Sequence, residues 1–384
     1  MSILHITYDL RDRHNREKTS AVRNLIKLNQ NFSNISVIDI LRTPILFEEK
    51  SELISQNHLV IDSFGLPFGL LFRMSQNRVV KKIYDADSSG LFRINSTKLI
   101  HSHKMTFDGY VGYQIALKYD LPFIVTVRQT DTMVLNKKRG LIKHFKPLII
   151  KCEKIFYLIP QITLRLEKIL GTDFFEKHIK DKLVFLPNIV ERKTDTENKH
   201  VVKNNFVTVL RMDKRSVKRK NLKRLLLGFK KLNNREFKLK IIGTGDYMYK
   251  VMEWVDELEL KDRITFLGKV ENSLIDEHYA NAEAFLLPSI SESFGMVYAE
   301  ALMNGTPIMY SKDRLGFDGM FEGVGVGVDP LSVDSIAEGI KNLSSNSTNF
   351  RSKIRELDNN NAFDVFSSEY INNKYKQIIS SIIG

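Results

Sequence analysis

The chain has 384 residues, with 58 lysines and arginines against 45 aspartates and glutamates and a net charge of +13. That length holds two domains of ordinary size, each able to bury its own core, and no apolar run is long enough to span a bilayer. One cysteine, Cys152, excludes an internal disulfide and fits a reducing, cytoplasmic compartment.

The basic surplus is concentrated in two stretches, 137–168 and 211–240, and implies an anionic partner: nucleic acid, a membrane surface or an acidic substrate. Neither stretch interleaves aromatics with glycines, and no zinc-finger or helix-turn-helix pattern is present, which argues against nucleic acid. Met1–Leu10 is strand-like and lacks the basic start and long apolar core of a signal peptide.

Ser2–Tyr8 reads as a first buried strand. Asp9–Thr19 is a polar loop carrying Arg11, Arg13, Arg16 and Lys18, and Ser20–Leu28 is a helix capped by Thr19 or Ser20. Ile35–Ile40 and His58–Phe64 are further strands, the second ending in Gly65-Leu66-Pro67. Lys98–Lys104 is a strand whose carboxyl end carries His101 and His103 on one face, where ligands of open α/β sheets bind. The pair suits an acceptor site or a structural core; a metal would need a third ligand, and none follows at suitable spacing. Asp108-Gly109 opens a helix to Tyr119, and Phe123–Gln129 is the next strand. Gly140–Ile150 mixes Lys143, His144 and Lys146 with Leu141, Ile142, Phe145 and Leu148. That pattern fits a basic membrane-surface helix or a sheet-packed helix with a lysine-rich outer face. Lys154–Ile159 and Leu183–Leu186 complete a first domain over 1–190. The polar stretch 191–204 is a linker candidate.

A second strand–helix alternation runs over 205–365. Val207–Asp213 places Arg211 at a strand's carboxyl end, followed by a basic loop, Lys214–Lys220. A helix after Asn221 spaces Leu222, Leu225, Leu226 and Phe229 on one face. Phe237–Gly245 runs into a glycine turn at Gly243 and Gly245. Ile264–Val270 and Ala284–Pro288 are strands, and a Ser-rich turn then leads to a helix beginning near Phe294. Glu292 lies just before that helix and Glu300 two turns inside it. The N–H groups of Ser293, Phe294, Gly295 and Met296 form a helix start that attracts anions. Anion and carboxylates together suit a ligand with phosphates and hydroxyls, such as a sugar nucleotide. Ile308–Ser311, a glycine-rich stretch 316–327 with a strand at Val324–Val328, and a long last helix within Phe363–Ile383 complete the chain.

Glu292-Ser293-Phe294-Gly295 followed by Glu300, framed by Asn304-Gly305-Thr306-Pro307, resembles the E-x7-E signature of retaining GT-B glycosyltransferases of family 4. The resemblance implies an α/β GT-B fold: two Rossmann-like doubly wound domains facing a cleft, with helix 366–384 crossing back to the first. It implies that Arg211 and Lys220 grip a diphosphate, Lys218 or Arg219 being substitutes because the loop is long. Glu300 would then hold the ribose and Glu292 the sugar hydroxyls, with Gly243, Val270 and Lys269 bordering the nucleotide. Relatives read Thr-Val-His-Gly-Thr-Asp where this chain has Thr126-Val127-Arg128-Gln129-Thr130-Asp131. Arg128 replaces the family histidine and cannot act as a base, though it can bind a phosphate or carboxylate. His103, Arg128 and Asp131 are the acceptor-side candidates. The implied reaction is metal-independent sugar transfer from a nucleoside-diphosphate sugar, UDP before GDP. The acceptor would be a sugar, polymer or lipid-linked hydroxyl, in cell-surface polysaccharide or glycoconjugate assembly at the cytoplasmic membrane face. The alternatives are a sugar-nucleotide epimerase on the same plan and a catalytically lapsed basic protein that binds membrane or polymer.

Overall fold

The computed structural model describes residues 1–10, 20–43, 51–64, 70–192, 200–312 and 320–384. Arg11, Arg13, Arg16, Lys18, Thr19, Gly65-Leu66-Pro67, Gly316 and much of the linker candidate lie outside the described residues. The fold divides into one unit of Met1–Ile189 with Ser368–Gly384 and a second of Val190–Ser367.

The first unit is built on strands β1 (Ser2–Thr7), β2 (Asn34–Thr43), β3 (Ser51–Ser55), β4 (His58–Phe64), β5 (Leu99–Ser102), β6 (Phe123–Val127), β7 (Lys154–Tyr157) and β8 (Leu183–Phe185), in the order 3-4-2-1-5-6-7-8. Every pairing is parallel except β3 with β4. Parallel strands covered on both faces need unbroken apolar runs, and Ile3, Leu4, Ile6, Leu99, Ile100, Ile124 and Val125 are fully buried. The sequence pattern gave no sign of β3, a short and mostly polar edge strand of the kind that resists further pairing. The expected strand Phe123–Gln129 stops at Val127 because a helix, Gln129–Lys137, starts at once. The Asp131 carboxylate accepts the Arg128 N–H at 2.8 Å, which turns the chain out of the sheet. Residues 140–150 contribute to a helix, Ile142–Lys151, that buries Phe145, Leu148 and Ile149. Those three side chains are core, as in the sheet-packed reading of this helix, and Lys143 stands exposed on its outer side. The last helix, Ser368–Ile383, buries Ile371, Tyr375 and Ile379, one stripe at a spacing of four. These pack with Ile3, Val22, Ile35, Leu99 and Phe156, so the chain's end completes the first unit's core.

The second unit is wholly parallel: β9 (Val202–Val209), β10 (Lys238–Ile242), β11 (Ile264–Gly268), β12 (Ala282–Leu286), β13 (Ile308–Ser311) and β14 (Gly325–Val328), in the order 11-10-9-12-13-14. The chain runs outward from β9 in one direction and then from β12 in the other. The strand order thus reverses between β9 and β12, and such a reversal opens a crevice beyond the strands' carboxyl ends. The core joins Phe206, Leu239 and Ile241 of the sheet to Leu225, Leu226 and Phe229 of helix Leu222–Lys231 and to Ile336 and Ile340 of helix Val333–Ser345. Lys214–Lys220, expected as a loop, is instead mostly a short helix, Lys214–Arg219. Its cap is Asp213, whose carboxylate accepts the Ser216 N–H at 2.9 Å. Among the described residues no helix is long and apolar enough to cross a membrane.

Candidate functional site

The carboxyl ends of β9, β10, β11 and β12 carry the residues that the sequence singled out in the second unit. Their loops are laced together through the backbone. Leu210 N–H donates to Ile242 O at 3.0 Å, Met212 N–H to Thr244 O at 2.9 Å, and Gly243 N–H to Gly268 O at 2.8 Å. Gly243 sits at φ +132°, and a Cβ there would come within 1.8 Å of Leu210 O, so only glycine lets these loops touch. Gly243 and Val270, two residues beyond Gly268, therefore lie along one rim with the loop that carries Arg211. Arg211 itself is exposed, and its Nε stands 4.0 Å from Asp213 Oδ2. Burial pushes the Asp213 carboxyl up, yet the hydroxyl and N–H of Ser216 with the Arg211 charge bring it below the usual carboxylate range.

Lys220 and Glu292 meet from 72 residues apart: the Lys220 ammonium donates to Glu292 Oε2. Their side chains are only 12% and 9% exposed, so this pair is shielded from water rather than a surface ion pair. The sequence did not reveal what holds it there. Asn221, in the left-handed region at φ +63°, separates helix Lys214–Arg219 from helix Leu222–Lys231. Its Nδ2 donates to Pro288 O at 3.0 Å and Pro330 O at 2.7 Å, and Ile290 N–H donates to Arg219 O at 2.9 Å. The turn after β12 is thereby tied to the helix end that presents Lys220. An asparagine just ahead of a helix was the available signal, because asparagine tolerates positive φ.

The turn itself differs from expectation. Helix Met296–Met303 starts two residues later than the predicted Phe294, with Gly295 at its cap in the left-handed region, φ +80°. A Cβ on Gly295 would approach the Tyr298 ring to 2.5 Å. The Ser293 N–H is not aimed outward: it donates to Glu292 Oε1 at 3.2 Å. Phe294 is buried with its ring edge-on to Phe366 at 5.7 Å. The anion-attracting end is thus narrowed to the helix start at Gly295 and Met296, and Ser293 and Phe294 shape the turn. Tyr298 Oη donates to Leu287 O and Ser311 Oγ to Ser289 O at 2.6 Å, fixing the turn from below. Glu300 lies one turn into the helix, half-buried, and receives the Tyr279 hydroxyl at 3.1 Å. Burial and the Glu300 charge raise the Tyr279 pKa well above its ordinary value, which keeps it a proton donor.

In the first unit the equivalent reversal of strand order lies between β1 and β5. There His5 of β1 pairs in register with His101 of β5. His5 Nδ1 lies 3.0 Å from His103 Nε2, and His101 is bonded to Tyr375 Oη at 2.9 Å and Thr126 Oγ1 at 2.8 Å. Ring nitrogens of the three lie within 4.8 Å of one another. A third histidine therefore exists, but it precedes the pair in the chain instead of following it. All three are fully buried. Burial pushes His5 down to about 3 and holds His101 and His103 well below the ordinary histidine range, so all three are neutral. Among the described residues His5 Nε2 and His103 Nδ1 have no partner that would orient a metal-bound ring, and the cluster is described as polar core.

The acceptor-side candidates lie in the same buried region. Asp131 is fully buried and accepts from Thr106 N and Oγ1 at 2.8 and 2.5 Å as well as from Arg128 N. Arg128 is 8% exposed, and its Nε donates to His103 O at 3.0 Å. Arg128 takes over the place of the family histidine as an internal brace between two loops. His103, Arg128 and Asp131 hold the carboxyl edge of the first sheet together.

The sequence model of the family "Glycosyl transferases group 1" matches residues 193–360. The chain is 33% identical over 103 residues to the O-antigen chain mannosyltransferase RfbU of Salmonella typhimurium, covering 27% of this chain and 29% of that protein. It spans less than a third of the length of three curated relatives it matches, RfbU among them. Among solved structures, a sucrose-phosphate synthase of Thermosynechococcus elongatus aligns over 99% of this chain and 98% of its own, with a TM-score of 0.70 and 17% identity. HepE of Anabaena, solved with UDP and glucose, aligns over 99% and 100% of the two chains, with a TM-score of 0.64 and 16% identity. These likenesses show the fold, which is GT-B with two parallel-sheet α/β units.

Proposed function

We propose that this chain, which over residues 193–360 belongs to the glycosyl transferases group 1 family, moves a hexosyl group from a nucleoside-diphosphate sugar to a hydroxyl acceptor. The observation that carries this reading is the shielded Lys220–Glu292 pair beside the Gly295 turn, at the strand-order reversal of the second sheet. As the glycosidic bond breaks, negative charge grows on the diphosphate and positive charge on the sugar ring. Lys220, Arg211 and the helix start at Met296 supply positive potential to the leaving oxygens without reorganising at the moment of reaction. Glu292 serves two roles: it fixes the Lys220 ammonium, and its carboxylate accepts sugar hydroxyls. Glu300, braced by Tyr279, accepts from the ribose. Gly243 and Val270 border the base.

Retention at the anomeric carbon, a uridine nucleotide and independence from metal complete the proposal. The acceptor is a sugar, polymer or lipid-linked hydroxyl of a cell-surface polysaccharide or glycoconjugate, reached from the cytoplasmic side. Support comes from the RfbU similarity and from the UDP and glucose bound by HepE. The test is incubation with a panel of UDP-, GDP- and ADP-sugars, measuring released nucleoside diphosphate with and without EDTA. Release from one donor class, unchanged by EDTA and abolished by Lys220→Ala, is expected. An altered sugar with no nucleotide release would replace the reading with epimerisation.

A further inference from the structure

The short helix that ends beside Lys220 also borders a pocket, which the sugar-transfer reading does not use. It has a volume of about 460 Å³ and lies among helices Lys214–Arg219, Leu222–Lys231 and Met248–Glu257. Lys214, Lys218, Lys223 and Arg224 line it together with Tyr247 and Trp254. Among the described residues none of these four cations is paired with a carboxylate. Other cations of the same unit are: Lys230 with Glu259, Lys231 with Asp334, Lys250 with Glu253, and Lys261 with Asp256.

The arrangement is unfavourable on its own terms. Lys214 and Lys218 are four apart on one helix and repel. Lys223 and Arg224 stand in the first turn of a helix that has no acid there, at the end that disfavours cations. An anion placed among them reverses both effects. Its shape is bounded by the walls. Val217 and Leu227 add apolar surface, Lys223 Nζ lies 5.0 Å from the Trp254 ring centre, and Tyr247 meets Trp254 edge-on at 6.0 Å. The volume falls in the range of small-molecule sites and exceeds what a bare phosphate fills.

We propose that this pocket binds the phosphoryl group of a sugar-sized or lipid-borne ligand, apart from the nucleotide-sugar site. The body of the ligand rests on Trp254 and Leu227 while the four cations hold its phosphoryl oxygens. The inference stands whether or not the chain transfers sugar.

Trp254 is the chain's single tryptophan, so its fluorescence reports this pocket directly. Glucose 6-phosphate and inorganic pyrophosphate are titrated into the full chain, and phosphatidylcholine vesicles with and without phosphatidic acid are added in a parallel arm. A saturable change in Trp254 emission is expected, weakened at least tenfold in the double variant Lys223→Gln, Arg224→Gln and retained in Lys220→Ala. A response to the soluble phosphates identifies a soluble ligand, and a response only to phosphatidic acid vesicles identifies a lipid headgroup. No response to any probe, or equal responses in wild type and the double variant, overturns the proposal. Circular dichroism of the double variant, matching wild type, separates lost binding from lost folding.

Discussion

Replacing His5 by asparagine should make the first unit less sensitive to acid, and the size of the effect follows from burial. His5 is fully buried, and its pKa falls from 6.5 to about 3. A histidine depressed in the folded state contributes stability that is complete above the unfolded pKa and is lost as pH falls. The window therefore runs from about 6.5 down to about 3. By pH 5 the unfolded chain binds the proton and the folded chain does not, which removes about 2 kcal/mol, and the full shift is worth about 5 kcal/mol. His101 and His103 are depressed as well and add to the loss. Asp108 and Asp131 act oppositely: burial raises both, so their protonation favours the folded state as pH falls. Comparing wild type with His5→Asn cancels the Asp108 and Asp131 terms, while the part of the His101 and His103 depression that His5 causes is removed with it. Urea unfolding is followed by circular dichroism at pH 8 and pH 5, with Trp254 emission reporting the second unit separately. His5→Asn is less stable than wild type at pH 8, because it loses the contact with His103, and the gap should close by about 2 kcal/mol at pH 5. Parallel profiles over that range would refute the assignment of neutral, buried histidine to the folded state.

Lys220→Met should cost about 3 kcal/mol of stability by stranding the shielded Glu292 carboxylate, and adding Glu292→Gln should restore most of it. Turnover should fall on the order of a hundredfold or more in the single variant and stay low in the double one, which urea melts and nucleotide-release rates resolve together. Glu300→Ala should weaken donor binding by about tenfold or more with a smaller effect on kcat, seen by calorimetric titration of the active nucleotide sugar. Gly295→Ala should lose at least about 1–2 kcal/mol, since its φ of +80° is costly for any L side chain. A thermal melt equal to wild type would show that the turn can relax.

Much of the second unit was legible because its signals are local. The stripe Leu222, Leu225, Leu226 and Phe229, the strand–glycine sequence at 238–245 and the Glu292–Glu300 frame each declare themselves within a few turns of chain. Their placement at strand ends follows from the alternation of strand and helix. Other features escaped because local pattern is silent about them. The stretch Lys214–Lys220 is rich in charge and shows no clear apolar period, yet Asp213 caps it into a helix. The Gly140–Ile150 pattern fits a membrane face or a core face, and only packing shows that Phe145, Leu148 and Ile149 are core.

The amino-acid order alone determined two α/β units, the acids Glu292 and Glu300 and the glycines of the candidate site, because periodicity and turn chemistry act between near neighbours, whereas Lys220 was singled out by the family resemblance. Tertiary structure alone decided that Lys220 meets Glu292 across 72 residues, that His5 joins His103 across 98, and that Arg128 braces the loop of His103. Those outcomes depend on which strands lie side by side and on how far water is excluded between them. Neither is written in any short stretch of chain, because both arise from residues that come together only when the sheets close.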